Sequence, residues 1–163
     1  MTDARDAFLS AMRQVAATVT VVTTDGPGGR MGATVSAFTS LSADPPTVLV
    51  CLKADSRIGQ AVAANGTFTV NVLPEDAVEI AQRFAGAFDS QTPDRFHGTP
   101  VTPTPFGPIL PRATAFTCTL ETTYSHSTHQ ICIGEVTGIS NAGEKPLTYM
   151  HGEFHVVRPK QAM

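Results

Sequence analysis

The sequence predicts a mainly β protein: an antiparallel barrel, closed or nearly closed, with a few helices plugging its sides. Three observations predict it. β-Branched and alternating apolar runs recur along most of the chain, separated by turn residues. Helical periodicity appears in only three places. Strands and helices do not alternate regularly, which argues against parallel βαβ architectures.

The elements follow in order. Ala4, Ala7, Phe8, Ala11, Met12 and Val15 recur at helical spacing and form one apolar stripe, with Asp3 placed to cap the first turn. Residues 18–24 (TVTVVTT) switch to β-branched side chains and read as one strand, and 26–30 (GPGGR) as the turn after it. Next comes 32–55, GATVSAFTSLSADPPTVLVCLKAD, around which the rest is arranged. In it Thr34, Ser36, Thr39, Ser40 and Ser42 alternate with Val35, Ala37 and Leu41 until Pro45-Pro46 breaks the pattern. The run 48–52 then fits a strand buried on both faces.

Asp55 or Ser56 can cap a short helix that carries Ile58, Ala61 and Val62. Phe68, Val70 and Val72 alternate with Thr67, Thr69 and Asn71, a half-buried strand. Pro74-Glu75 opens a third helix, with Ala77, Val78, Ala81 and Phe84 spaced to face a core. Six of the 12 prolines lie within 93–111, an irregular excursion of the kind that caps or borders a site. Strands resume at 115–123, 129–139 and 154–157, with 138–143 as the turn between the last two. No repeat or linker divides the 163 residues, so one domain spanning 1–163 is expected.

Net charge is −3, from 11 basic and 14 acidic residues with no basic cluster, which argues against nucleic acid or an anionic membrane as partner. No apolar run reaches spanning length, and the opening MTDARDAF lacks the pattern of a signal peptide. Cys51, Cys118 and Cys132 are odd in number, widely spaced and form no CxxC pair, which suits reduced thiols in the cytoplasm. Asn65-Gly66-Thr67 therefore reads as a turn rather than a glycosylation site.

Acid–base machinery is thin: GxSxG, HExxH and paired carboxylates are all absent. GPGGR fails the dinucleotide fingerprint, because Met31 stands where a glycine is needed and a strand follows. His126 with His129, and His151 with His155, read as loop-edge or strand-end groups, although an even separation would put the second pair on one strand face. No metal site is expected. Cys51, inside VLVCL, reads as a small apolar filler. Two features keep two readings each. The hydroxyl row from Thr34 either meets a flat, polar-edged ligand through close main-chain approach or faces water. Ser56 and Arg57 either hold a phosphate at a helix N-terminus, against repulsion from Asp55, or belong to a capped surface helix.

The pieces AMRQVAATVTVVTT, GATVSAFTSLSADPPTVLVCL, FTVNVL, RFAG, THQICIGEV and PLTYMHGEFH, in that order, resemble the short-chain flavin reductase family. These are reductase components of two-component aromatic monooxygenases. The resemblance covers about 4–157, and its most specific part is the TVSAFTSLSADPP block with the apolar strand behind it. It implies an antiparallel Greek-key split barrel and a homodimer. It also implies that NADH, or less often NADPH, reduces FMN or FAD, and that reduced flavin passes to a separate oxygenase. By position, Thr34, Val35, Ser36 and Ala37 would line the isoalloxazine edge, and Ser40 and Leu41 would follow the ribityl chain. Cys51, Leu52 and Lys53 would pass beneath, Ser56 and Arg57 would hold phosphate, and Phe84, Ala85 and Gly86 would close over the flavin. His129 would be the catalytic residue near the nicotinamide, with Phe154 at the same mouth.

Three departures stand out. Thr128 replaces the usual aspartate partner of His129, Thr18 replaces a common glycine, and 93–111 carries no transferable motif. The first leaves open a flavin-binding or electron-transfer protein without a nicotinamide site. A barrel for a small apolar ligand is the other alternative. Hydride transfer between two cofactors accounts for the missing acid–base constellation, because the protein need only align the rings.

Overall fold

In the computed structural model, which describes residues 3–161, these runs pair into two antiparallel sheets. The outermost residues of the expected domain, 1–2 and 162–163, lie outside the described residues. The helices are α1 (Ala4–Met12), α2 (Arg57–Asn65) and α3 (Val78–Phe84). The strands are β1 (Ala17–Thr18), β2 (Thr20–Thr24), β3 (Met31–Val35), β4 (Phe38–Ala43), β5 (Pro46–Lys53), β6 (Thr67–Val72), β7 (Thr114–His126), β8 (His129–Ser140), β9 (Leu147–Met150) and β10 (Glu153–Val156). The larger sheet has the order β3-β2-β6-β7-β8-β5-β4, the smaller β1-β9-β10.

The larger sheet curls until its two edge strands share one core. Met31, Ala33 and Val35 of β3 and Phe38 of β4 all pack on a cluster that contains Val22, Val50, Val62, Phe68 and Val70. Although β3 and β4 are consecutive, no ladder joins them, so the barrel is split at this seam. A second core, with Val21, Leu73, Phe84, Phe96, Leu110 and Leu147, binds α3 and the proline-rich excursion to the smaller sheet.

Several expectations change. The run 18–24 is two strands rather than one. Val19 is the pivot: its N–H donates to the Leu147 carbonyl (2.9 Å) and its carbonyl accepts from Leu73 N–H (3.2 Å). The strand β6 is buried on both faces instead of one, with Phe68, Thr69, Val70 and Asn71 fully inaccessible. Its polar face is covered by the excursion. Thr23 and Thr69 donate to the carbonyls of Pro108 (2.7 Å) and Gly107 (3.0 Å), while Asn71 Oδ1 accepts from Leu110 N–H (2.9 Å). Prolines offer no N–H, so the strand side chains fasten this segment mainly by its carbonyls.

A short strand, β9, lies where none was expected, and β8 runs on to Ser140, so 138–143 is only partly a turn. The third helix begins at Val78 rather than at Pro74, which instead bridges to Pro146. The cap of α2 is Ser56, whose Oγ accepts from Gly59 N–H (3.1 Å). No residue of α1 is buried: its stripe points outward, with Phe8 62% exposed. His151 sits in the β9–β10 turn at φ 56°, so it shares no strand face with His155 on β10. Among the described residues, no helix is long and apolar enough to cross a membrane.

Candidate functional site

The seam leaves β3 with one unpaired side. In an antiparallel edge strand, alternate residues turn their N–H and C=O outward. The Gly32 carbonyl accepts from Arg95 Nη1 (3.2 Å) on that side, so Gly32 and Thr34 present main chain away from β2. A groove follows this edge in three sections. The first, about 620 Å³, is walled by Val19, Val35, Ala85, Gly86, Tyr149 and Phe154, with Thr34 and Ser36 along its edge. The second, about 350 Å³, is bounded by Thr34 to Ala37, Cys51 to Lys53, Ser56 and His129. The third, about 620 Å³, is lined by Arg30, Arg57, Asp89, Asp94, Arg95 and Phe96. Thr34, Val35 and Ser36 belong to the first two sections, and Ala33, Ser56 and Ile58 to the last two, so the three sections adjoin along β3.

Local packing fixes the strand. The Thr34 hydroxyl donates to the Ala81 carbonyl of α3 (2.7 Å), and the Thr20 hydroxyl bonds the Val35 carbonyl. Gly32 is required here: a Cβ would lie 2.6 Å from the Phe84 ring. Phe84 is fully buried and meets Phe96 edge-on (5.0 Å), so it underlies the groove without lining it. Arg95 is a staple. It grips Asp89 with two nitrogens (3.0 and 2.7 Å) and donates to the Gly32 and Phe84 carbonyls. These bonds from Arg95, assisted by the field of Arg57, hold the Asp89 carboxyl below the usual carboxylate range.

Around the second section, Ser56 Oγ donates to the Lys53 carbonyl (2.6 Å) as well as capping α2. Lys53 pairs with Asp55 (3.6 Å) and faces His129 across the β5–β8 ladder. His129 Nδ1 lies 2.9 Å from Thr128 Oγ1. Arg57 makes no ion pair among the described residues, which leaves its charge available at the junction with the third section.

The family model for the flavin reductase like domain matches residues 12–158. The chain belongs to the flavin reductase-like family. It is 39% identical over 156 residues to the FMN reductase (NADH) RutF of Ancylobacter novellus, covering 94% of this chain and 85% of that protein. It is 33% identical over 159 residues to the reductase subunit HsaB of a flavin-dependent monooxygenase from Rhodococcus jostii, covering 96% and 80%. Among solved structures, the Streptomyces globisporus NADH:FAD oxidoreductase SgcE6, in complex with NAD and FAD fragments, superposes with a TM-score of 0.88 at 26% identity over 99% of each chain. The expected architecture, an antiparallel split barrel, is the one found.

Within this family frame, the groove gathers Thr34, Val35, Ser36, Ala37, Cys51, Leu52, Lys53, Ser56, Arg57, Ala85, Gly86, His129 and Phe154. Ser40 and Leu41 lie farther along β4 and line no section; Leu41 is 52% exposed. Arg30, Arg95, Gln82 and Tyr149 line the groove but went unread in the sequence. Tyr149 rides the unexpected strand β9, and Arg95 sits in the motif-free excursion. Of the thiols, Cys118 is pushed up to about 12 and Cys132 to about 11, both chiefly by burial. Only Cys51 borders the groove.

Proposed function

We propose that this chain is an NADH-dependent flavin reductase that transfers hydride from NADH to FMN or FAD and supplies reduced flavin to a separate oxygenase. One observation carries the reading: a row of adjoining groove sections along the free edge of β3, largely apolar at one end and with arginines outnumbering aspartates at the other. That polarity fits a flavin, whose ring is flat and polar-edged and whose tail is anionic. The nicotinamide and the flavin supply the hydride donor and acceptor when bound.

The chain's residues bind and orient. Main-chain groups of Thr34 to Ala37 meet the polar ring edge and stabilise negative charge that develops there. Cys51, Leu52 and Lys53 bound the second section, Ser56 and Arg57 hold the tail phosphate, and Ala85 and Gly86 cover the ring. Val19, Tyr149 and Phe154 exclude water from the first section. Phe84 acts from below, through Gly32. His129 is the catalytic residue in this reading, its ring orientation set by the Thr128 hydroxyl. We assign Ser40 and Leu41 no part.

The uncovered stripe of α1, with Phe8 and Met12 exposed, and exposed Val15 just beyond it support a homodimer, and the free cysteines support a cytoplasmic address. A single domain, 1–163, carries the activity. NADH oxidation measured with and without FMN or FAD tests the function; a folded protein that neither binds flavin nor oxidises NADH in its presence refutes it. Anaerobic mixing of flavin-loaded protein with NADH separates a reductase, which bleaches the flavin, from a flavin carrier, which does not. Sedimentation reads the oligomeric state.

A further inference from the structure

Resting on that reading, a flavin phosphate held by Ser56 and Arg57 stands at the boundary between the second and third sections. FMN would end there. The groove does not: the third section, about 620 Å³ in all, extends from Ser56 and Arg57 to Arg30, Met31, Asp94 and Phe96. Its lining carries three arginines against two aspartates, one of the arginines set over an aromatic ring. The Arg30 guanidinium lies 4.5 Å from the centroid of the Phe96 ring, and Phe96 is itself 94% buried, so the cation rests over a ring that the core holds in place. Arg30 has only a loose ion pair, 3.7 Å to Asp94, and its side chain is 43% exposed where it lines the groove. A half-exposed guanidinium that lines a groove is a stacking partner for a planar base.

The charges are also sorted. Arg95 and Asp89 satisfy each other and Arg95 is further committed to two carbonyls, so neither is free for a ligand. Arg57 is left as the unpaired cation at the entrance. Asp94 accepts from Phe96 N–H through Oδ1 (3.0 Å), and its other oxygen meets Arg30, which places an acceptor beside the guanidinium. An adenosine diphosphate group matches this layout, with the diphosphate at Arg57 and the base over Arg30. Two cofactors carry such a group, FAD and NADH. Continuity with the phosphate seat favours FAD.

We propose that the third section of the groove seats the adenosine diphosphate end of FAD, so that the chain binds FAD in preference to FMN. Titration calorimetry of the purified protein with each flavin measures this directly. The expected result is FAD affinity at least about tenfold above FMN affinity, the order of gain from one stacked base. Arg30→Ala should bring FAD down to the FMN value and leave FMN binding unchanged. Arg30→Lys, which keeps the charge and loses the plane, should lose most of the preference as well, which guards against a folding defect in the first variant. FMN bound as tightly as FAD by the native chain overturns the proposal and leaves the reductase reading standing. A raised KM for NADH in Arg30→Ala, with the flavin ratio intact, overturns it in favour of the nicotinamide dinucleotide. Failure to bind either flavin overturns both.

Discussion

Two rows of small polar side chains look alike in the sequence and do opposite work. Thr69 and Asn71 on β6, with Thr23 on β2, alternate with valines and phenylalanine just as Thr34 on β3 and Ser36 just after it alternate with Ala33 and Val35. The first row is fully buried, and its side chains hold the proline-rich excursion by the carbonyls of Gly107 and Pro108 and the N–H of Leu110. The second lies on the sheet's free edge, where Thr34 bonds α3 and the strand's outer main chain faces a groove. The difference comes from neighbours. A central strand must satisfy every polar group inside the protein, whereas an edge strand keeps some for a ligand.

Breaking the buried row should cost stability and spare binding. Asn71→Leu strands three hydrogen-bonding partners and should lower unfolding free energy by about 3 kcal/mol in urea titration, with flavin affinity of the folded fraction unchanged. Gly107→Ala should cost about 2 kcal/mol, because φ is 136° and a Cβ would lie 2.6 Å from the Thr23 carbonyl oxygen. Breaking the groove should do the reverse. Arg57→Ala should weaken FMN binding about tenfold by calorimetry and shift stability by no more than about 0.5 kcal/mol.

Smaller effects sharpen the contrast. An aromatic disulfide reagent at pH 8 should titrate Cys51 and leave Cys118 and Cys132 silent in the folded protein, with added FMN slowing the reaction. The Arg95–Asp89 staple gives the smallest signal. Asp89 is depressed from its ordinary value of 3.8, so its contribution is present above that pH and lost as the carboxyl protonates below it. With 43% of the carboxylate side chain exposed, Asp89→Asn should cost only about 0.5 kcal/mol at pH 7, and the difference from the native chain should shrink as the pH falls below 3.8.

Much of this was legible because periodicity and capping are local. A cap at Asp55 or Ser56 and a strand through 48–52 needed no tertiary knowledge, although Leu49 and Cys51, expected to be buried, are only half-buried because their face of β5 is less covered. What stayed hidden depended on partners distant in sequence. Thr69 and Asn71 read as outward-facing because nothing local announces a cover 38 or 39 residues away. Residues 18–24 read as one strand because the break at Val19 comes from pairing with both Leu73 and Leu147. The strand β9 is four residues long and follows a proline, too short for alternation to show, and it took Tyr149 with it. Ser40 and Leu41 sit near the site residues in sequence, yet two more turns of the pleat carry them past the groove.

Amide hydrogen exchange in the presence and absence of FMN tests the placement of the ligand most directly. FMN seated along β3 should slow exchange at Thr34, Ser36 and the first turn of α2, with Thr69 and Asn71 unchanged. Protection that misses β3 and falls on other strands, with tight FMN binding established, would contradict it.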